Sequence, residues 1–425
     1  MVRTYPRNPA LAWIRPRLMG FAALYPSYKR GGNILARWLG CSALALLLVL
    51  GGCSPQQSPQ QSPPQPPQQP EECHPAWPAF AEFQSRFIDP AGKVVDFSDA
   101  NQHTTSEGQA YALFFSLVAN DRKLFDKILD WTGKNLVEGE LTTDLPAWEW
   151  ANAGDKKNSV LDTNSASDAD LWLSYTLLEA GRLWDEPRYT QIGKALAEHI
   201  LTSEVEDIPG LGWTLMPGRW GFIEDAVTWR LNPSYVPIPL LTYFALYLDE
   251  PRWSDVLESS KTLIAATSHG FASDWIVYRH PKGFMPDKKT NARGSYDAIR
   301  VYLWAGFIAP TDDSRAELLA RLAGMRAALT ELAIPPESID TRVGKPEGQG
   351  PIGFSAALIP YLTATGDFEA AEAQRQRVRG HKPPAEPLGY YGSALSLFGL
   401  GFDEGRFAFQ LDGQLATPWI EGCDP

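Results

Sequence analysis

The chain has 425 residues, room for two average domains or one large one, and 44% of them are hydrophobic, which supplies an ample core. The formal net charge is −12 and no Lys/Arg block stands out in the part expected to fold, which argues against a nucleic-acid partner. Aromatics reach 12%, with 15 Trp and 15 Tyr; part of these will be core, but carbohydrate clefts need the same residues, because sugar rings present apolar C–H faces to flat surfaces.

Lys29, Arg30 and Arg37 precede the apolar run CSALALLLVLGGC, Cys41–Cys53. That run is short of the roughly 20 apolar residues of a membrane-spanning helix and fits a signal-peptide core. Leu50-Gly51-Gly52-Cys53 is similar to a bacterial lipobox with Cys53 as the lipidated residue; an ordinary signal peptide with an incidental cysteine is the alternative. Met19 is a second candidate start. Residues 1–53 are therefore expected to direct export to the periplasm, with a lipid anchor in the outer membrane as the only membrane attachment. Residues 54–72 are low-complexity Pro/Gln/Ser and read as an extended tether. Cys73 and Cys423 stand at opposite ends of the remaining region, residues 73–425. In an exported protein they predict one disulfide joining the termini, with free or mispaired thiols as the alternative.

From Pro75 the periodicity predicts about twelve helices. Pro75–Phe87 comes first. Thr105–Asn120 follows, with Ser106 as its N-cap, Glu107 in its first turn and a run too apolar for a protein surface. Arg122–Val137 is amphipathic, Asp168–Gly181 apolar and Pro187–Ser203 polar-faced. Pro233–Leu248 is nearly all apolar, Arg252–Ser268 amphipathic, Tyr296–Ile308 apolar and Asp313–Leu332 amphipathic. Ile352–Thr365 is apolar, Asp367–Arg379 polar and Gly392–Leu400 apolar.

A helix apolar on every side must be surrounded by protein, and one with a polar face can sit outside. The alternation predicts an all-α fold, an (α/α)6 barrel of six inner and six outer helices, with antiparallel neighbours joined by short links such as Asn120–Asp121. The inner helices then share a direction, and their N-termini gather at one end. The connections Glu138–Ser165, Glu204–Asn232 and His269–Gly294 decorate that end, and alternating residues at Trp213–Met216 and Trp275–Tyr278 predict short β-hairpins there.

Glu107, Asp168, Asp170 and Asp297 all start inner helices in this arrangement. An acid at a helix start is ordinarily a mild complement to the helix dipole, worth under about 1 kcal/mol. Several acids in one aromatic cleft, with no phosphate loop, instead suit glycosidic hydrolysis, where one carboxyl protonates the leaving oxygen and another acts on water or sugar. With six His, none in a close pair with acids or cysteines, neither a metal nor another cofactor is expected. No G-x-S-x-G elbow marks a serine hydrolase.

The stretches TSEGQAYALFF, LDTNSASDADLWLSYTLLEAGRLW, NPSYVPIPLL and SYDAIRVYLWAG occur in this order. Together they resemble the glycoside hydrolase family 8 endoglucanases, and within them the exported cellulases encoded with bacterial cellulose synthases, over roughly Pro75 to the C-terminus. Leu173, Ser174 and Thr176 depart from the family's usual residues at what are packing positions. The resemblance implies inverting hydrolysis of β-1,4-glucan. It makes Glu107 the general acid, Asp297 the general base, and Asp168 a contact to the distorted sugar at the cleavage point. Tyr235, Tyr296 and Arg300 match positions that line the site, and Asp170 is placed with them.

Inversion implies carboxyls of Glu107 and Asp297 roughly 6.5–9.5 Å apart. The helix dipole favours the ionised form of Glu107, so desolvation and Asp168 must outweigh it for that residue to act as an acid. Arg300, one turn after Asp297, is positioned either to keep that carboxylate ionised or to form a simple helix salt bridge. Trp148, Trp150, Trp213, Trp220, Trp229 and Tyr390 are candidate sugar platforms or core residues. The expected partners are glucan chains and the cellulose synthase and export machinery, met as a monomer. Chitosan and xylan remain alternative substrates within the family. A glycan-binding lipoprotein and a polysaccharide lyase on the same toroid are the competing classes.

Overall fold

The computed structural model describes residues 76–97, 102–151, 159–381 and 388–420. The segment 1–53 with Cys53, the tether 54–72, and Cys73 and Cys423 lie outside the described residues. Thirteen α-helices occur among those residues: α1 Pro78–Phe87, α2 Ser106–Val118, α3 Arg122–Leu136, α4 Ser167–Leu183, α5 Pro187–Ser203, α6 Ile238–Tyr247 and α7 Arg252–Ala265 are followed by α8 Ala298–Phe307, α9 Arg315–Arg321, α10 Gly324–Leu332, α11 Ile352–Ala364, α12 Phe368–Gly380 and α13 Tyr390–Asp403.

The inner ring is α2, α4, α6, α8, α11 and α13, and the fold is the (α/α)6 barrel that the hydrophobic alternation predicts. Every residue of α2 and of α8 is buried. In outer α3, by contrast, burial is confined to the stripe Leu124, Phe125, Ile128, Leu129, Trp131, Thr132 and Leu136, and Asp121 caps its start by accepting the Leu124 N–H at 3.0 Å. Phe398 of α13 closes the ring, with its centroid 4.9 Å from that of Tyr111 on α2, 5.1 Å from Trp172 on α4 and 5.2 Å from Trp304 on α8. The opposite end is plugged by the hairpin Ala408–Phe409/Leu415–Ala416, whose Phe409 packs on Phe307. Buried Glu179 accepts the Leu415 N–H at 2.7 Å and pairs with Arg182, so the floor is tied shut.

Four expectations change. The outer helix Asp313–Leu332 is two helices, because Gly324 lies so close to the Gly270 turn that a Cβ there would sit 2.6 Å from the His269 carbonyl. Pro233–Leu248 opens with a separate 3-10 turn, Pro233–Tyr235, because Pro237 forbids a helical conformation at Val236 (φ −119°, ψ 69°). The cap of α2 is Thr105 rather than Ser106: Thr105 is still extended, paired with Glu149, and its Oγ1 accepts the Gly108 N–H at 3.1 Å. The last inner helix begins at Tyr390, two residues before the expected Gly392.

Short strands decorate the connections that lead into inner-helix starts. Thr104–Thr105, Glu149–Ala151 and Ser159–Asp162 form one sheet, and Val205–Ile208 pairs with Gly212–Leu215. Ile223–Asp225, Thr228–Leu231, Ile276–Arg279 and Gly283–Pro286 form a four-stranded sheet. A further sheet, Arg293–Gly294 with Ser338–Asp340 and Lys345–Glu347, has no expectation behind it.

Candidate active site

Three inner helices bring acids together around one arginine. Glu107 enters from the first turn of α2, Asp168 from the first turn of α4, and Asp297 from the residue before α8, with Arg300 one turn later. All four are buried. Arg300 Nη1 pairs with Glu107 Oε2, lies 3.4 Å from Asp168 Oδ2 and donates to the Tyr111 hydroxyl at 3.2 Å. Its Nη2 reaches Asp297 Oδ1 at 3.1 Å and Ser234 Oγ at 3.1 Å. The guanidinium lies over the ring of Tyr235 at 5.7 Å. Asn232 Nδ2 donates to the other Asp297 oxygen at 3.3 Å, while Asn232 Oδ1 accepts from the Ser234 hydroxyl at 2.7 Å. Arg300 therefore contacts both expected catalytic acids and Asp168, which is more than the local Asp297 pair that spacing suggests.

One buried cation among three carboxyls leaves excess negative charge if all are ionised, so protons are held more tightly. Burial pushes Asp168 well above the usual carboxylate range, against Arg300 and with the help of Glu107. Asp297 moves up for the same reason, with Arg300 and Asn232 opposing. Burial works against the charge of Arg300, but Glu107, Tyr111 and the other neighbours raise its proton affinity overall.

The other candidates divide. Asp170 is fully buried, but its carboxyl meets Glu204. Tyr296, half-buried, packs on Phe354 at 5.1 Å, and its hydroxyl donates to Glu337 at 3.3 Å. Tyr390 is buried against Phe83 and Phe87, with its hydroxyl so close to α2 that a Cβ at Gly108 would lie 2.9 Å from it. Trp148 is half-buried, its carbonyl accepting the Ser106 N–H at 3.0 Å. Trp150 belongs to a satellite core with Trp131, 5.3 Å away, and Trp229 is buried beside Tyr278. Trp213 is half-buried under Arg252, and Trp220 is 52% exposed.

Tyr111, Asn232, Ser234 and Asp274 join the site without having been singled out. Tyr111 follows Glu107 by one helical turn, and Asn232 and Ser234 lie in the NPSY stretch, so a signal existed for those three. Asp274 has no local signal: it accepts the N–H groups of Ser295 and Ala298, at 2.7 and 2.8 Å, from a distant loop. Among the described residues no group of three or more His, Cys, Asp or Glu side chains is placed to hold a metal ion. Positive charge among the site carboxyls comes from Arg300.

An (α/α)6 barrel with acids converging on an arginine at its inner-helix N-termini defines a carboxylate-based hydrolase. The chain belongs to the glycosyl hydrolases family 8, whose family model matches residues 71–405. It is 45% identical over 348 residues to a protein from Escherichia coli O157:H7 named endoglucanase, covering 82% of this chain and 92% of that one. It is 46% identical over 350 residues to an endoglucanase of Xanthomonas axonopodis pv. citri, covering 82% and 90%. The crystal structure of an endo-1,4-D-glucanase from Vibrio fischeri ES114 superposes with a TM-score of 0.78 at 40% identity, covering 81% of this chain and all of that one.

Proposed function

We propose that the protein is an endo-1,4-β-glucanase that cuts β-1,4-glucan chains internally with inversion, Glu107 acting as general acid and Asp297 as general base. The observation that carries the reading is the Arg300 fork, which gathers Glu107, Asp168 and Asp297 at one end of the barrel. The names and the high identity of the family relatives support glucan as the substrate.

In inversion the acid protonates the leaving oxygen while the base takes a proton from a water attacking the opposite face. Glu107 and Asp297 sit on different arms of one guanidinium, so Arg300 fixes both acids relative to each other. Asn232 and Arg300 each hold one oxygen of Asp297 and so fix its direction. Asp168, across Nη1 from Glu107, faces the sugar at the cleavage point. Glu107 gives its proton to the leaving oxygen, and Arg300 Nη1 is positioned to hold the carboxylate that remains.

The test is reducing-end release and NMR of the product anomer, on carboxymethyl-cellulose and cello-oligosaccharides, with chitosan and xylan in parallel. α-Anomeric products from β-1,4-glucan, absent with Glu107→Gln and Asp297→Asn, are expected. Turnover of chitosan or xylan alone would move the substrate, and none on any glycan would leave a binding protein.

The N-terminal sequence supports a further part of the reading, export and lipid attachment at Cys53, and the resemblance to exported cellulases encoded with cellulose synthases supports action beside a synthase. Labelling with radioactive palmitate, lost in Cys53→Ser, tests the anchor.

A further inference from the structure

Beside the site lies a second pair of acids. Asp170, in the first turn of α4, and Glu204, just past the end of α5, are both buried, and their carboxyls meet within hydrogen-bonding reach. Glu204 Oε1 accepts the Ser165 hydroxyl at 2.5 Å. Among the described residues, neither oxygen of Asp170 nor Oε2 of Glu204 has a donor from any other group. Three buried carboxyl oxygens without a donor are costly, and a proton shared between the two acids satisfies the contact.

The pair is connected to the cleft end. Ser165 Oγ accepts the Arg219 N–H at 3.3 Å, and Gly218 lies so tightly on the Ser165 carbonyl that a Cβ would approach it to 2.3 Å. Ser167 N–H donates to the Pro217 carbonyl at 3.2 Å, and Asn164 Nδ2 donates to the Trp220 carbonyl at 2.9 Å. Segment 217–220, which presents the exposed Trp220, thus hangs from residues 164–167 and through Ser165 from Glu204.

We propose that Asp170 and Glu204 share one proton and act as a positioning latch, which holds the Trp220 segment in place for glucan and releases it as that proton is lost to solvent. The latch is a property of the fold; its consequence for glucan rests on the glucanase reading. Burial pushes Glu204 up to about 7, with Ser165, Asp170 and Arg219 opposing. Asp170 is raised by burial, by Glu204 and by Asp168, with Arg219 opposing. Arg219 is itself paired with Asp144, so its charge is already shared. The latch is closed below neutral pH and opens above it.

Hydrogen exchange of residues 217–222, corrected for the intrinsic rate, tests the latch without reference to activity. Protection in the native chain is expected to be about ten-fold lower at pH 8 than at pH 6, one unit on either side of the titration. Glu204→Gln keeps an acceptor for Ser165 and offers Asp170 an amide donor, and is expected to remove that loss. In parallel, KM for cello-oligosaccharides should rise above pH 7 in the native enzyme and stay flat in Glu204→Gln, with kcat following the same profile in both. Equal protection of the native chain at both pH values would overturn the latch, as would the same loss in Glu204→Gln. If that variant does not fold, infrared spectra of the native chain decide: a protonated-carboxyl band present at pH 6 and gone at pH 8 is required. The expected exchange pattern without glucan turnover would keep the latch and reject the glucanase.

Discussion

Arg300 Nη2 lies 3.1 Å from Asp297 Oδ1, one helical turn away, while Nη1 of the same fork pairs with Glu107 and faces Asp168. A planar fork can hold acids from three helices at fixed directions; an ammonium cannot. Arg300→Lys is therefore expected to keep a positive charge yet lower kcat/KM by about 10²-fold, the scale of a roughly 1 Å misplacement. Kinetics on a cello-oligosaccharide check this, and a loss under three-fold would show that charge alone suffices.

Asp168 gives the cluster its clearest conflict between stability and function. Its proton affinity is raised mainly by burial, so the stabilisation tied to its proton is complete below the ordinary carboxylate pKa and is lost as pH rises through the folded value. Asp168→Asn removes the cost of the buried charge. The variant is expected to show a higher Tm than the native chain at pH 8, a smaller difference at pH 5, and a large fall in kcat. Calorimetry at the two pH values checks the sign; a lower Tm at pH 8 would mean that the Arg300 contact outweighs desolvation.

Asp274 holds the start of α8 through the N–H groups on either side of Asp297. Asp274→Ala leaves both buried donors without this acceptor and is expected to cost about 2 kcal/mol. Asp274→Asn keeps an acceptor and should cost less. Burial, reinforced by Asp297, pushes Asp274 up to about 7 against those N–H groups. The stability linked to its proton is therefore full below the ordinary carboxylate range and disappears as pH climbs through neutrality. Denaturant melts at pH 5 and pH 8 should show the native chain losing stability at the higher pH and Asp274→Asn losing less.

How far the site could be read beforehand follows from the range of each interaction. Inner and outer helices are legible because full burial of α2 and α8 requires apolar residues on every side. Glu107, Asp168, Asp297 and Arg300 are legible because each lies in or beside a first helical turn, where local pattern sets position. Asp274 is not, because it reaches α8 from more than twenty residues upstream. The break before Gly324 is set by a turn more than fifty residues away. Asp170 shares the first turn of α4 with Asp168, yet two residues of separation turns it to another face, toward Glu204.

Tryptophan is where local pattern says least, since one side chain serves both a core and a sugar. Trp150 and Trp220 come from the same kind of connection, but the first is 6% exposed beside Trp131 and the second 52% exposed. Removing Trp150 opens a cavity between α3 and the sheet beneath it, so Trp150→Ala is expected to cost about 3–5 kcal/mol. Removing Trp220 empties no core, so Trp220→Ala should leave Tm within about a degree, in keeping with surface changes inside ±0.5 kcal/mol. Its effect should fall on binding: a KM for long cello-oligosaccharides raised by roughly ten-fold, the worth of one aromatic contact of about 1.4 kcal/mol. Melting curves and Michaelis parameters of the two variants separate the roles, and a stable Trp150→Ala with raised KM would return Trp150 to the cleft.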